Sequence, residues 1–192
     1  MKNILNLLLL LFLTIGCKNN ENNPHKNHSP KETTTDKKTV LSPKKFAMTL
    51  IQDAHIHIDY AAPSVRGRVI FGGLLAYGEI WQAGAHNATW LETNKDLSID
   101  GKTLKAGKYG FFTIPSQDKW TLIFNRNWDQ HGKDEYDPNE DVLRFEVTPE
   151  NTDTFVEQLT YRVERTNETE GKISLSWEKT SVSFPFSVKV NE

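Results

Sequence analysis

The chain has 192 residues, of which 37% are hydrophobic and 25% are charged, so it is long enough for one soluble domain with a sizeable core. Its formal net charge of −2 gives no electrostatic reason to expect nucleic-acid binding. It contains one cysteine, which excludes an intrachain disulfide.

The N-terminus has the pattern of an export signal. Lys2 is followed by an apolar run from Leu7 to Leu13 and then by Thr14-Ile15-Gly16-Cys17. The run is too short to span a membrane, so we interpret residues 1–16 as a signal peptide that is removed. The segment resembles a bacterial lipoprotein signal, in which the cysteine is lipidated, although Thr14 stands where leucine is usual. The alternative is an ordinary secretory signal with an unmodified Cys17.

Residues 17–42 are predicted to be the lipidated cysteine and a disordered tether, and residues 43–192 are predicted to be the folded domain. From Lys18 to Ser42 the chain is rich in Asn, Lys, Thr, Pro and His, so it cannot bury a core. Such a tether would hold the domain within roughly 25–30 Å of a membrane. We therefore predict a lipid-anchored protein of the cell envelope, at the outer membrane, on its periplasmic or surface face.

The tether is followed by one short strand pattern after another. The predicted strands are residues 46–51, 54–60, 89–93, 96–99, 108–114, 119–125, 142–147, 155–165, 172–178 and 182–190. Asp100-Gly101 is a hairpin turn signal. Helical periodicity is weak, and residues 74–81 are predicted to form at most a short helical turn. About ten short strands with turns between them predict an all-β fold, an antiparallel β-sandwich of jelly-roll type.

One long stretch between the predicted strands, from Tyr60 to Thr89, holds five of the eleven glycines. Glycine permits backbone conformations that other residues avoid, and binding residues are often found on loops supported by a rigid scaffold. This stretch is therefore the predicted ligand site. The candidate residues are Arg66, Arg68, Trp81, His86 and Asn87.

His55 and His57 are the candidate metal ligands. Residues two apart on a strand face the same way, about 6.6 Å apart, so the two imidazoles can approach one divalent ion such as Zn²⁺. Asp59 is too far along the strand to join them easily, and a third ligand would have to be His86 or His131. The simpler interpretation is an exposed polar strand face, and we predict no resident cofactor.

Residues 137–141, with the sequence Asp-Pro-Asn-Glu-Asp, place oxygen ligands at alternate positions, as calcium loops do. The segment lacks the glycine and the glutamate of the helix–loop–helix calcium motif, since Val142 and Thr148 stand there. A solvated acidic loop is the simpler interpretation.

The five tryptophans divide by their neighbours. Trp120 and Trp177 alternate with apolar residues, which predicts that they are in the core. Trp81, Trp90 and Trp128 stand near loops or polar residues, and exposed aromatic rings can stack on the apolar faces of sugars. Nucleophile elbows, phosphate-binding loops, dinucleotide motifs and the zinc-protease helix motif are missing from the sequence, which favours a binding role over catalysis.

Several blocks together resemble a known family. They are Tyr60, Pro63-Ser64-Val65-Arg66-Gly67-Arg68, Trp81, Gly84-Ala85, Ala88-Thr89, Gly101-Lys102, Leu104, Ala106-Gly107-Lys108-Tyr109, Ile114-Pro115, Trp120 and Asp141-Val142. Over about residues 42–190 the chain is similar to the bacterial lipoprotein-associated family known as domain of unknown function 2911. The resemblance implies an exported β-rich domain of the kind found in Bacteroidetes, and it implies no activity.

The sequence therefore predicts a lipid-anchored envelope protein that acts as a binding or interaction module, with a glycan as the candidate ligand. Two alternatives stay open. One is a metal-dependent enzyme that uses His55 and His57, and the other is an envelope scaffold without a small ligand. The expected partners are the membrane, through the lipid anchor, and a glycan or an envelope protein.

Overall fold

The computed structural model describes residues 40–189, which form ten β-strands and one turn of 3-10 helix, Pro138–Glu140. The strands are β1 (Lys44–Ile51), β2 (Ala54–Ala61), β3 (Thr89–Thr93), β4 (Leu97–Ile99), β5 (Lys102–Leu104), β6 (Gly107–Ile114), β7 (Trp120–Asn125), β8 (Asp141–Val147), β9 (Glu150–Arg165) and β10 (Glu170–Val188). Within this part of the chain no helix has the length and apolar character needed to cross a membrane. The predicted signal peptide, Cys17 and the tether up to residue 39 lie outside the described residues.

The strands form two antiparallel sheets. The large sheet has the order β1-β2-β3-β6-β7-β8, and the small sheet has the order β5-β4-β10-β9. All strand pairs except β3–β6 and β4–β10 join strands that are consecutive along the chain. Most of the buried side chains, from both sheets, form one shared core, and Ala88, Phe112 and Ile123 form a second, smaller cluster. The predicted all-β antiparallel sandwich is therefore confirmed.

Strand β2 illustrates why this sequence forms a two-layer structure. Ile56 and Ile58 are buried in the core, whereas His55, His57 and Asp59 are only partly covered on the opposite face. Successive side chains of a strand point to opposite faces, so alternating apolar and polar residues bury one face of the sheet and leave the other to solvent. We call the solvent side of the large sheet its outer face.

Strand β10 corrects one prediction. Residues 172–178 and 182–190 were expected to form two strands, but Glu170–Val188 is a single long strand that pairs with β9. Its register shifts on either side of Glu178, which has a positive φ of 58°. Such a β-bulge changes which alternate residues face inward. The buried side chains are accordingly those of Ile173, Leu175 and Trp177 before the bulge and those of Val182, Phe184, Phe186 and Val188 after it.

One further strand differs from the prediction, whereas residues 74–81 stay within the predicted limit of a short helical turn. Lys102–Leu104 forms a strand that pairs with β4 across the predicted Asp100-Gly101 turn. Three residues are too few to show a periodicity, which is why the pattern did not reveal this strand. Residues 74–81 contain turns and bends and no helix.

The glycine-rich stretch is fastened to the sandwich by aromatic side chains. Phe71 is buried, with ring centroids 4.8 Å from Trp120 and 6.2 Å from Trp177. Trp81 is also buried and stacks on Trp177 at 5.8 Å. Burial of large rings contributes strongly to stability, so this long connection is an integral part of the fold.

Candidate functional site

A cleft of about 210 Å³ lies where β2 ends and β3 begins. The two strands are antiparallel neighbours, and Asp59 stands opposite Trp90. Residues 85–88, just before β3, and residues 128–129, after β7, complete the cleft. Its polar lining residues are Lys44, Asp59, His86, Asn87 and Asp129, and its aromatic lining residues are Tyr60, Trp90 and Trp128.

Backbone hydrogen bonds hold the loop before β3 against the loop after β7. The Gly132 amide donates to the His86 carbonyl at 2.7 Å, and the Ala88 amide donates to the Gln130 carbonyl at 3.0 Å. His86 has a φ of 61°, a left-handed conformation that is uncommon for residues other than glycine. The exposed side chains of His86 and Asn87 are therefore presented from a fixed backbone.

Buried side chains also hydrogen-bond to the loop before β3. The Tyr161 hydroxyl donates to the Ala83 carbonyl at 2.7 Å, and the Thr89 hydroxyl donates to the same oxygen at 3.0 Å. The Trp81 indole N–H donates to the Gly84 carbonyl at 2.9 Å. These bonds provide partners for buried carbonyls that would otherwise be costly to remove from water.

Buried amide side chains fix the loop after β7. The Asn125 amide nitrogen donates to the Asp137 carbonyl at 2.9 Å and to Asp141 Oδ1 at 2.8 Å, while its oxygen accepts from the Asn127 amide at 2.9 Å. The Gln130 side chain donates to the Asn127 carbonyl at 2.7 Å. Because each of these polar groups is paired, the two cleft residues of this loop are held in place.

Four aromatic rings and one lysine form a row across the outer face beside the cleft. The His57 ring stacks between Phe46 on β1, at 5.6 Å, and Trp90 on β3, at 5.2 Å. The Lys108 ammonium lies 3.5 Å from the ring centroid of Trp90 and 3.6 Å from that of Trp128. An ammonium group over a tryptophan ring is attracted by the ring quadrupole. This stack fixes Trp90 and positions Trp128 at the edge of the cleft.

We expect Gly110→Ala to displace the loop that carries Trp128. An added Cβ on β6 would lie 2.8 Å from Phe112 Cε2, 3.0 Å from the Asn127 carbonyl oxygen and 3.3 Å from Trp128 Cα. Overpacking of this kind costs about 1–3 kcal/mol. Urea unfolding would measure the loss of stability, and near-ultraviolet circular dichroism would report the changed tryptophan environment. Unchanged stability and an unchanged spectrum would contradict this close approach.

Alkaline pH should destabilise the fold through the two buried tyrosines near the cleft, Tyr60 and Tyr161. Burial raises the pKa of Tyr60 and raises that of Tyr161 well above its usual range. A folded-state pKa above the unfolded value gives stability that is fully present below about pH 10 and is lost as the pH rises through the folded-state pKa. We expect the free energy of unfolding to fall above about pH 10, by up to about 1.4 kcal/mol per pH unit for each such tyrosine.

Urea titrations at stepwise alkaline pH would measure this slope. Tyr161→Phe should reduce the slope relative to the wild type. Equal slopes for the wild type and Tyr161→Phe would contradict the prediction.

The structure brings together part of the predicted ligand site. His86 and Asn87 both line the cleft. Trp81 lies in the core with 4% of its surface exposed, because its indole N–H has found a carbonyl partner within the loop. Sequence reasoning did not assign Lys44 or Asp129 to a site, and it considered Asp59 only as a metal ligand.

Arg66 and Arg68 lie apart from the cleft lining, on the segment that passes β9. The Arg68 guanidinium donates to the carbonyls of Val65, at 3.0 Å, and Ser64, at 2.7 Å. The Arg66 amide donates to a carboxylate oxygen of Glu157 at 2.9 Å. Arg68 thus fastens its own turn, whereas the side chain of Arg66 is exposed.

His55 and His57 both stand on the outer face of β2, with ring centroids 5.9 Å apart. Within residues 40–189, no group of three or more His, Cys, Asp or Glu side chains is arranged to hold a metal ion. The His131 imidazole, one of the predicted third ligands, lies 3.2 Å from Asp134. The structure thus shows two neighbouring imidazoles on one strand.

The acidic segment 137–141 caps a short turn. Asp137 accepts from the amide and the side chain of Asn139, both at 2.9 Å. Asp141 accepts from the Tyr136 hydroxyl at 2.9 Å and from Asn125. Burial and this carboxylate raise the pKa of Tyr136 to about 12, so Tyr136 stays protonated as a donor at neutral pH. Glu140 Oε2 lies 3.5 Å from Arg126 Nη1, so all three carboxylates of the segment have partners within the protein.

The fold and the cleft define a β-sandwich domain with a small aromatic and polar cleft beside the outer face of its large sheet. Residues 42–186 match the family described as "Protein of unknown function (DUF2911)", and the chain belongs to this family. The resemblance expected from the sequence is thereby confirmed. A search of curated proteins and a search of solved structures each found no match to the chain.

Proposed function

We propose that this protein is a binding module of the cell envelope, anchored by lipid at Cys17, and that the cleft binds a glycan. The observation that supports a glycan most directly is the combination of Trp128 with carboxylate and amide groups in one cleft. Sugars offer both apolar ring faces and many hydroxyl groups, so a sugar site needs an aromatic surface beside hydrogen-bonding side chains.

The arrangement of the rings assigns them different roles. The His57 ring stacks on Trp90 from the β2 side, and the Lys108 ammonium lies over the Trp90 ring. Trp90 would therefore form one side of the cleft without stacking on the sugar. Trp128 meets Trp90 at 67° and has Lys108 over one face of its ring, and we propose that a sugar stacks on the opposite face. Asp59, Asp129 and Asn87 would then pair with hydroxyl groups at the ring edge.

Size and charge narrow the class of glycan. Pockets that enclose a drug-sized ligand are roughly 300–1,000 Å³, so a cleft of about 210 Å³ suits one or two sugar units or the end of a longer chain. The cleft lining has two carboxylates, Asp59 and Asp129, and one lysine, Lys44. This balance favours neutral sugars and amino sugars over acidic sugars.

A panel of immobilised envelope glycans tests this proposal. The mature chain, residues 17–192 with Cys17→Ser, should bind neutral or amino glycans and should bind uronic-acid and sulfated glycans more weakly. Failure to bind any glycan on the panel would reject the glycan proposal and favour an envelope scaffold. Selective binding of the acidic glycans would contradict the charge argument.

The anchor is tested separately in cells of a bacterium that modifies lipoproteins. Incorporation of a labelled fatty acid into the wild-type chain, and its loss in Cys17→Ala, would support the anchor. Release of an unlabelled wild-type chain into the soluble fraction would reject it. A tethered glycan-binding domain could hold an envelope polysaccharide close to the membrane.

A further inference from the structure

Exposed apolar side chains are concentrated at the start of the domain. Of the nine large hydrophobic side chains that are exposed among residues 40–189, five belong to residues 40–50. They are Val40, Leu41, Phe46, Met48 and Leu50. Isolated exposed hydrophobic residues are ordinary, but a contiguous group on one face indicates an interaction surface.

Strand β1 places three of these side chains on one face. Phe46, Met48 and Leu50 are 64%, 45% and 57% exposed, and their alternate spacing directs them to the same side. Their pairing partners on β2 are the outward-facing residues Asp59, His57 and His55. We call the surface formed by Phe46, Met48 and Leu50 the β1 apolar face. It lies at the edge of the large sheet, because β1 is the terminal strand.

The partner that covers the β1 apolar face can be inferred from the point at which the N-terminal part of the chain joins the domain. Residues 40–43 lead directly into β1, so a lipid anchor at Cys17 would be connected to the domain through this strand. Lys44 begins β1 on the same side as Phe46, Met48 and Leu50, and a basic residue beside an apolar face favours an anionic lipid surface. We infer that the β1 apolar face rests on the lipid surface of the membrane to which the protein is anchored.

This inference depends on the anchoring part of the proposed function and is independent of the glycan. An acyl anchor that is joined to a domain through a single chain segment does not by itself fix the orientation of the domain. A second, weaker contact through β1 would fix the orientation and would place the adjacent cleft, which Lys44 also lines, close to the lipid headgroups.

Vesicle sedimentation tests the inference without the lipid anchor. The mature chain with Cys17→Ser is mixed with vesicles of phosphatidylethanolamine containing about one quarter phosphatidylglycerol. The test variant is Phe46→Ser with Leu50→Ser. The matched control is Val69→Ser with Leu74→Ser, which removes two apolar side chains of similar exposure, 65% and 49%, from the glycine-rich stretch.

We expect the parent chain and the control to sediment with vesicles, and the β1 variant to partition about tenfold less. Equal sedimentation of the two variants would overturn the inference, and so would a parent chain that does not sediment. Sedimentation velocity without vesicles provides a further test, because a parent dimer that the β1 variant dissociates would assign the face to a second copy of the chain.

A fluorescent probe provides a second test, which does not depend on the folding of the Phe46→Ser, Leu50→Ser variant. In the Cys17→Ser background, an environment-sensitive dye on Met48→Cys should shift to the blue on addition of vesicles, and the same dye on Leu74→Cys should not. The opposite pattern would overturn the inference. Labelling of Cys17 with fatty acid tests the anchor in a different experiment, so its failure can be distinguished from failure of the β1 contact.

Discussion

Phe71→Ala should lower the free energy of unfolding by about 3–5 kcal/mol, the usual cost of removing a buried phenyl ring. The ring of Phe71 lies against Trp120 at 4.8 Å and packs edge-on to Trp177 at 6.2 Å. Its removal would leave a cavity between large, rigid rings that cannot easily collapse. Urea unfolding followed by far-ultraviolet circular dichroism measures the loss.

Leu74→Ala is the matched control for this prediction. Leu74 belongs to the same glycine-rich stretch but is exposed, so its replacement should change stability by no more than about 0.5 kcal/mol. A loss below about 1 kcal/mol for Phe71→Ala would show that the stretch is not anchored in the core.

Trp128→Ala should weaken glycan binding by about 2 kcal/mol, or roughly thirtyfold in Kd, because truncation of a tryptophan that stacks on a ligand removes a large contact area. Trp128 lies on a loop at the cleft and is only partly buried, so the variant should keep its fold. Calorimetric titration with the best glycan of the panel measures the change. Tyr77→Ala removes an exposed aromatic ring remote from the cleft lining and should leave Kd unchanged. Equal Kd values for Trp128→Ala and the wild type would remove Trp128 from the site.

Local patterns were sufficient for most of the fold. A half-buried strand needs alternating apolar residues, and Val182, Phe184 and Phe186 show this alternation without the structure. The joining of residues 170–188 into one strand could not be predicted in the same way. The bulge at Glu178 changes the phase of the alternation, and a single sequence cannot distinguish a change of phase from a turn between two strands.

The ligand site was predicted less completely because its residues are far apart in the sequence. Lys44, Asp59, His86 and Asp129 meet only after β2 has paired with β1 and β3 and the two loops have joined. Local periodicity contains no information about such pairings. Of the polar lining residues, only His86 and Asn87 lie in the glycine-rich stretch that composition identified.

Trp81 shows how polar neighbours in the sequence can mislead. It stands beside Gln82 and Gly84, which suggested an exposed ring. In the structure the Gly84 carbonyl accepts the indole N–H at 2.9 Å, so the ring can be buried without leaving a polar group unpaired. The bond depends on the local path of the backbone, which the residue types alone do not determine.

An NMR titration that follows the five tryptophan indole N–H signals can locate a bound glycan, because the tryptophans divide between the cleft and the core. Trp90 and Trp128 line the cleft, whereas Trp81, Trp120 and Trp177 are buried in the core. We expect a neutral or amino glycan to shift the indole signals of Trp90 and Trp128 in a saturable way and to leave the other three in place. A panel of envelope glycans that moves neither of these two signals, or that moves only those of the core, would contradict this expectation.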